Sequence, residues 1–280
     1  MHRLFLVVSV GVMAILAGCA PSAKKLAVCA GKPGLSESLS VLQGRRDKVT
    51  GLKALGTCQL RYHVDAKPHR ENLRIWIGAN PPDEFYLRGD VSIVPKAVVV
   101  GSNRDEFWLA LRPKEISTYW WGKWSSQQAY QGLAISPKVM LEVLGVTTID
   151  SNDTWSLSNE GPYDVLTQND AQQKTLRKIY IYSCDYSIRK IEYFGSEGGV
   201  VLTAELDKYK KVGEGFSVPT RIMLRRPSDD EKGDWVKITL TSVRKKDFDE
   251  KHRKIFRRRP PRGFKHVYVI IDGEPVKLLH

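Results

Sequence analysis

The chain has 280 residues, 42% of them hydrophobic and 27% charged, with a formal net charge of +13 at pH 7. The apolar content excludes disorder except at the ends, and the length supplies one sizeable core, or two at a stretch. The charge is uneven: "VRKKDFDEKHRKIFRRRPPRGFK" (243–265) is far more basic than what precedes it.

The first element is a secretory signal pattern. Met1-His2-Arg3 forms a short positive region, Leu4–Leu16 is apolar, and the small residues Ala17-Gly18 lead to Cys19. An apolar run of about 13 residues is too short to cross a bilayer of ~30 Å. Leu16-Ala17-Gly18-Cys19 resembles the lipobox of bacterial lipoproteins. That resemblance implies that Cys19 receives a diacylglycerol and becomes the first residue after cleavage. Three acyl chains, at ~0.8 kcal/mol per methylene, make such an anchor permanent. Ala20 stands where an inner-membrane retention signal would have Asp. By resemblance to the Gram-negative sorting rule, this implies the outer membrane as the expected location, facing the periplasm or the cell surface. An exported, tethered chain rarely meets nucleic acid, so the basic stretch is read as surface facing anionic headgroups or an envelope partner. Residues 19–34, rich in Ala, Pro, Gly and Lys, read as a flexible tether.

Beyond Cys19, cysteines stand at 29, 58 and 184, which allows one disulfide with three pairings open. Leu35, Leu39 and Leu42 are spaced along one helical face, with Ser36 or Ser38 as caps. From Leu52 the period changes to two. Leu73, Ile75 and Ile77 alternate with Arg74 and Trp76; Phe85 and Leu87, then Phe107, Leu109 and Leu111, repeat the pattern. Turn-rich breaks at 78–84, 101–106 and 111–115 separate them, as in an antiparallel meander. "STYWWGKWSS" (117–126) places three tryptophans within five residues, an amphipathic area suited to a grease–water interface. As a strand it puts Tyr119 and Trp121 on one face and Trp120 on the other, so at least one ring lines a cavity.

Residues 136–145 form the other helix: Ser136 caps, Pro137 opens the first turn, Val139, Met140, Val143 and Leu144 make an apolar stripe, and Gly145 ends it. Strands resume at 176–184 and 186–195, a hairpin turning near Asp185, and continue at 200–213, 216–226, 234–246 and 266–271. The reading is mainly β (α+β): about ten or eleven strands in one curved antiparallel sheet. A sheet of that size curls or closes, and two helices are too few to cover it from outside. They are expected to plug the concave face of an open half-barrel.

This order of elements resembles the LolA/LolB-like superfamily of bacterial lipoprotein carriers and receptors over roughly residues 35–248. The landmarks are the N-terminal helix running into "VTGLKALGTCQLRY", the central "AISPKVMLEVLG", and "VPTRIML" followed by "VKITLTSV". The resemblance implies an apolar cavity for acyl chains, with Leu73, Ile75, Ile77, Phe85, Leu87, Phe107, Leu109, Tyr119, Trp121, Met140, Leu144, Leu202 and Ile222 as candidate walls. Residues 249–280 form a basic extension outside that pattern. Arg257, Arg258 and Arg259, followed by Pro260-Pro261, suggest an extended, mobile arm on the rim that contacts the membrane or a partner. The contrary reading has Ile255, Phe256 and Phe264 pack on the barrel and lead "HVYVII" in as its last strand.

No catalytic pattern emerges, and neither a metal nor a cofactor is expected. His63, His69, His252 and His266 lack paired spacing, no GxSxG occurs, and "GSEGG" (195–199) reads as a turn. The carboxylates of "PPDE" (81–84) and "NRDE" (103–106) sit at hairpin ends, where they are expected to be solvated rather than glycosidase-like. Cys58 is expected to pack inward with Leu60 and Tyr62. Two functions result: a carrier or receptor for lipid or lipoprotein acyl chains, or a structural or assembly lipoprotein that docks an envelope partner without a ligand.

Overall fold

The computed structural model describes residues 26–64, 67–91, 94–114, 116–124, 136–146, 154–227 and 233–278. Cys19 and the signal-like stretch before it lie outside the described residues. Helix α1 (Leu35–Arg46) leads into β1 (Leu52–Val64), β2 (Lys67–Asn80), β3 (Glu84–Val91), β4 (Val94–Ser102), β5 (Glu106–Leu111) and β6 (Thr118–Lys123). After α2 (Pro137–Val143) come β7 (Thr154–Glu160), β8 (Tyr163–Asn169), β9 (Thr175–Tyr182) and β10 (Ile188–Phe194). β11 (Val200–Gly213), β12 (Phe216–Arg225) and β13 (Trp235–Lys245) complete that run. The short α3 (Glu250–Arg253), a 3-10 turn at Lys254–Phe256, β14 (His266–Ile271) and β15 (Glu274–Lys277) end the chain.

Among the described residues, fifteen strands form one curved, unclosed sheet in the order β15-β14-β6-β5-β4-β3-β2-β1-β13-β12-β11-β10-β9-β8-β7. Two meanders meet where β1 pairs with β13. The sheet is larger than the sequence suggests because strands without clear alternation were not legible. β4 carries the unbroken apolar run Ala97-Val98-Val99-Val100, and β7 has only Trp155 and Leu157 as apolar side chains, too short a run to mark a strand. β14 also departs from the antiparallel expectation, since it pairs parallel to β6.

One face of the sheet holds the main core. Leu73, Ile75 and Ile77 of β2, Phe85 and Leu87 of β3, Leu109 of β5, Leu202 of β11 and Ile222 of β12 belong to a single buried cluster with Met140, Leu141 and Val143 of α2 and its C-cap Leu144. Helix α2 forms for local reasons. Ser136 Oγ accepts from Val139 N at 3.2 Å, Pro137 opens the first turn, and Gly145 ends it at φ +74°, where a side chain would be strained. In α1 the cap differs from expectation: Gly34 occupies it without a side-chain bond, while Ser38 is buried inside the helix and accepts from Tyr186 OH at 2.6 Å.

Residues 26–34 are tied down rather than free. Cys29 is bonded to Cys184 at the β9–β10 turn, a link spanning 155 residues, and Lys32 N donates to Asp164 Oδ2 at 2.8 Å. A Cβ on Gly31 would fall 2.2 Å from Asp164 Oδ1 and 2.3 Å from Asn159 Nδ2, so a larger residue there would have to displace both side chains.

The basic extension is not a mobile arm; it crosses the outer face of the first meander. Phe256 is buried and meets Phe248 edge-on at 5.0 Å, and its carbonyl accepts from Asn103 Nδ2 at 3.0 Å. Arg253 pairs with Glu84 at 2.8 Å and Arg258 with Glu106 at 2.6 Å, the Arg258 guanidinium lying 4.0 Å over the Trp121 ring. Tyr119 OH donates to the Arg259 carbonyl at 3.0 Å, and Phe264 lies 5.3 Å from the Tyr119 ring. The segment then enters the sheet edge as β14. Contacts along its whole length outweigh the loss of chain freedom.

Candidate functional site

The two ends of the core face are covered differently, and the difference creates an opening. Helix α2 lies nearest β3 and β4. Toward β9–β12 the cover passes to α1, whose Leu42, Gln43, Arg45 and Arg46 stand across a gap from the sheet. The gap is a cavity of about 390 Å³, within the ~300–1,000 Å³ usual for small-molecule sites. Its apolar lining is Leu42, Val143, Ile179, Ile188, Ile191, Leu206 and Phe216.

One end of the cavity is polar. Glu142, on the last turn of α2, is buried and pairs with Arg177 Nη1 at 2.5 Å, while Tyr193 OH donates to its other oxygen at 2.6 Å. The Arg177 guanidinium stacks 5.2 Å over Trp155. Burial, and then the Glu142 charge, hold the Tyr193 phenol well above its ordinary range, so it stays a donor. At the rim Arg45 donates to the carbonyls of Asp185 at 2.9 Å and Tyr186 at 2.5 Å, fixing α1 to the β9–β10 turn. Burial pushes the Tyr186 phenol up to about 12. The arrangement offers a greasy pocket with cationic groups, Arg45 and Arg46, beside it.

None of the wall residues expected from sequence lines this cavity. Leu73, Ile75, Ile77, Phe85, Leu87, Leu109, Met140, Leu144, Leu202 and Ile222 are brought together, but as filled core, each no more than 6% exposed. Phe107 is buried near Gly122 and 5.6 Å from the Trp124 ring. Tyr119 and Trp121 lie on the opposite face, in a second cluster with Trp108 and Val267. The ring of that run on the core side is Trp120, stacked on Tyr268 at 5.9 Å. Its pairing with Leu109 across β5–β6 sets that face, and strand register is invisible before the partner is known. The cavity residues Ile179, Ile191, Leu206 and Phe216 carried the same alternating signal as the filled core. Only the position of the helices sets them apart.

Other candidates resolve simply. Cys58 is buried, and burial pushes its thiol up to about 12, so it is a packing residue rather than a nucleophile. Glu84 and Glu106 are not solvated but paired with Arg253 and Arg258. Among the described residues no group of three or more His, Cys, Asp or Glu could hold a metal. Arg257 and Arg259 are exposed, while Arg258 is engaged as above.

No protein-family model matches the chain, and no curated protein matches it in sequence. Solved structures do. An outer membrane lipoprotein-sorting protein domain from Vibrio parahaemolyticus matches at TM-score 0.55 and 13% identity, covering 79% of this chain and 99% of that one. A DUF1329 family protein from Desulfovibrio piger matches at TM-score 0.54 and 10% identity, covering 81% and 98%. A LolA superfamily protein from Nitrosomonas europaea matches at TM-score 0.53 and 11% identity, covering 81% and 99%. By these matches over 79–81% of its length, the chain has a LolA/LolB-like fold.

Proposed function

We propose that the chain binds an acyl chain of a lipid or lipoprotein in the cavity between α1 and β9–β12, as a carrier or receptor in the cell envelope. The observation that carries this reading is the 390 Å³ cavity, largely apolar in lining, on a face whose other described side chains form a buried cluster. Binding there would run on hydrophobic burial alone, at ~25 cal/mol per Å² of apolar surface, with Arg45 or Arg46 beside the head group. A membrane competing for the same chain would drive release. The lipoprotein-sorting and LolA neighbours support a carrier-like role, and the lipobox resemblance of Leu16–Cys19 supports an outer-membrane anchor. No covalent chemistry is invoked.

One observation favours the second reading, a scaffold that docks an envelope partner: the β1–β5 half of the core face is closed by its own side chains and α2. Native mass spectrometry separates the two. The carrier reading expects co-purified acyl lipid, displaced by a fluorescent fatty acid. Ile188→Glu, a charge on the half-exposed cavity wall, and Gln43→Trp, a plug from α1, are both expected to abolish fluorescent fatty-acid binding while leaving the fold intact. Binding that is absent, or unchanged in both variants, would leave the scaffold.

A further inference from the structure

The outer face at the β15 edge combines features that the acyl-binding reading does not use. Three of the seven most exposed large hydrophobic side chains among the described residues sit on this one hairpin: Ile271 at 48%, Val276 at 44% and Leu278 at 37%. Register explains why they share a face. Val267 pairs with Tyr119 and Val269 with Trp121, both on the outer face, and Val276 stands opposite Val269. Side chains alternate along a strand, so Ile271 follows Val267 and Val269 outward. Leu278 follows Val276, its N–H donating to the Val267 carbonyl at 2.8 Å. Asp272 and Gly273, at φ +49° and +87°, make the tight turn that holds the two strands together.

Beside this apolar strip runs the basic segment. Arg259 is fixed over β6 by the Tyr119 hydroxyl, and Lys265 N donates to the Ser117 carbonyl at 3.0 Å. Arg257, Arg259 and Arg262 are exposed, and none of them meets a carboxylate among the described residues. Arg258, the one that does, covers the half-buried Trp121 ring at the join between the basic and apolar parts. Asp272 and Glu274 stand at the hairpin tip, and Glu106 is taken up by Arg258.

We infer that the β14–β15 hairpin, with Arg257, Arg259 and Arg262 beside it, is a docking surface for an anionic lipid bilayer, separate from any acyl anchor. Aliphatic side chains beside unpaired guanidinium groups match the boundary between acyl chains and anionic headgroups. A half-buried tryptophan suits the same depth. A second copy adding a strand at this edge fits less well, because β15 is four residues long and contains Pro275, which lacks an N–H to pair. Such a contact would fix the orientation of the tethered protein over the membrane.

The test places an environment-sensitive nitrobenzoxadiazole label at Ile271→Cys in the full chain, and at Leu176→Cys on β9 as a control. The unsubstituted chain, labelled in parallel, corrects for Cys19. On vesicles of phosphatidylglycerol and phosphatidylethanolamine, emission at position 271 is expected to shift to the blue and to escape an aqueous quencher, with no change at 176. The shift is expected to vanish with Arg257→Ser/Arg259→Ser/Arg262→Ser, with Val276→Glu, and in about 1 M salt, where the Debye length is ~3 Å. No shift at 271, equal shifts at both positions, or the same shift on phosphatidylcholine alone would overturn the inference. A shift that appears without vesicles and grows with protein concentration would assign the patch to a second copy instead.

Discussion

The two meanders bury the same kind of alternating face and use it differently. In β1–β5 the apolar side chains meet each other and α2 in one buried cluster: Phe85, Ile77 and Met140 are fully buried. In β9–β12 equally apolar side chains, Ile179, Ile191 and Leu206, face α1 across a cavity of about 390 Å³. Alternation makes a face apolar, but the element laid over it decides whether the face is core or site. The outer faces contrast as well. Over β3–β6 the basic extension packs Phe256 and Arg258, whereas on β11–β12 an exposed ladder of Asp207 with Arg221 and Glu205 with Arg225, each at 3.7 Å, faces water.

Substitution in the filled half should have the largest effect. Phe85→Ala is expected to lower unfolding stability by about 3–5 kcal/mol, and Met140→Glu to prevent folding by burying an unpaired charge. Both are read by urea denaturation. A loss below about 1 kcal/mol for Phe85→Ala would mean that this half is not closely packed. In the open half, Ile188→Glu is expected to stay within about 1 kcal/mol of the parent, because a half-exposed charge keeps its hydration.

The disulfide holds the open half to the segment before α1, so its loss should act there. Cys29→Ser with Cys184→Ser is expected to cost about 2–5 kcal/mol, and hydrogen exchange should rise first in α1 and the β9–β10 turn. Exchange rising equally in β1–β5 would show the two halves to be one cooperative unit.

Alkaline pH offers a graded probe of the filled half. Burial pushes the Cys58 thiol from its ordinary 9.0 up to about 12. A raised pKa means that the native state holds its proton while the unfolded chain releases it. Stability from this group is therefore complete below pH 9 and falls by about 1.4 kcal/mol per pH unit toward pH 12. Tyr186 at the cavity rim and Tyr119 on the outer face, raised to about 12 chiefly by burial, add a loss from outside the filled half above their ordinary value of 10.0. Cys58→Ala should remove the earliest part of the decline, and an unchanged pH profile would contradict the thiol's burial.

The outer faces give the smallest effects. Arg258→Ala removes a short ion pair and a ring contact, an expected loss of about 1–3 kcal/mol. Arg225→Ala breaks one exposed rung and should stay within about 0.5 kcal/mol. Equal losses would mean that the extension is no better attached than an ordinary surface ladder.

The sequence by itself determined what short-range chemistry controls. The period-two runs at 73–77, 85–87 and 107–111 became β2, β3 and β5, and Ser136, Pro137 and Gly145 bounded α2, because caps and pleats act between residues a few positions apart. Tertiary structure decided everything that depends on a partner distant in the chain. Trp120 rather than Tyr119 or Trp121 turned toward the core because register with β5 set the faces. Cys29 found Cys184 across 155 residues, and the basic extension packed because Glu84, Glu106 and Tyr119 waited on strands far earlier. The cavity was least legible of all. Ile191 and Leu206 look like Ile77 and Leu87 in sequence, and only the gap beneath α1 separates a binding wall from a core.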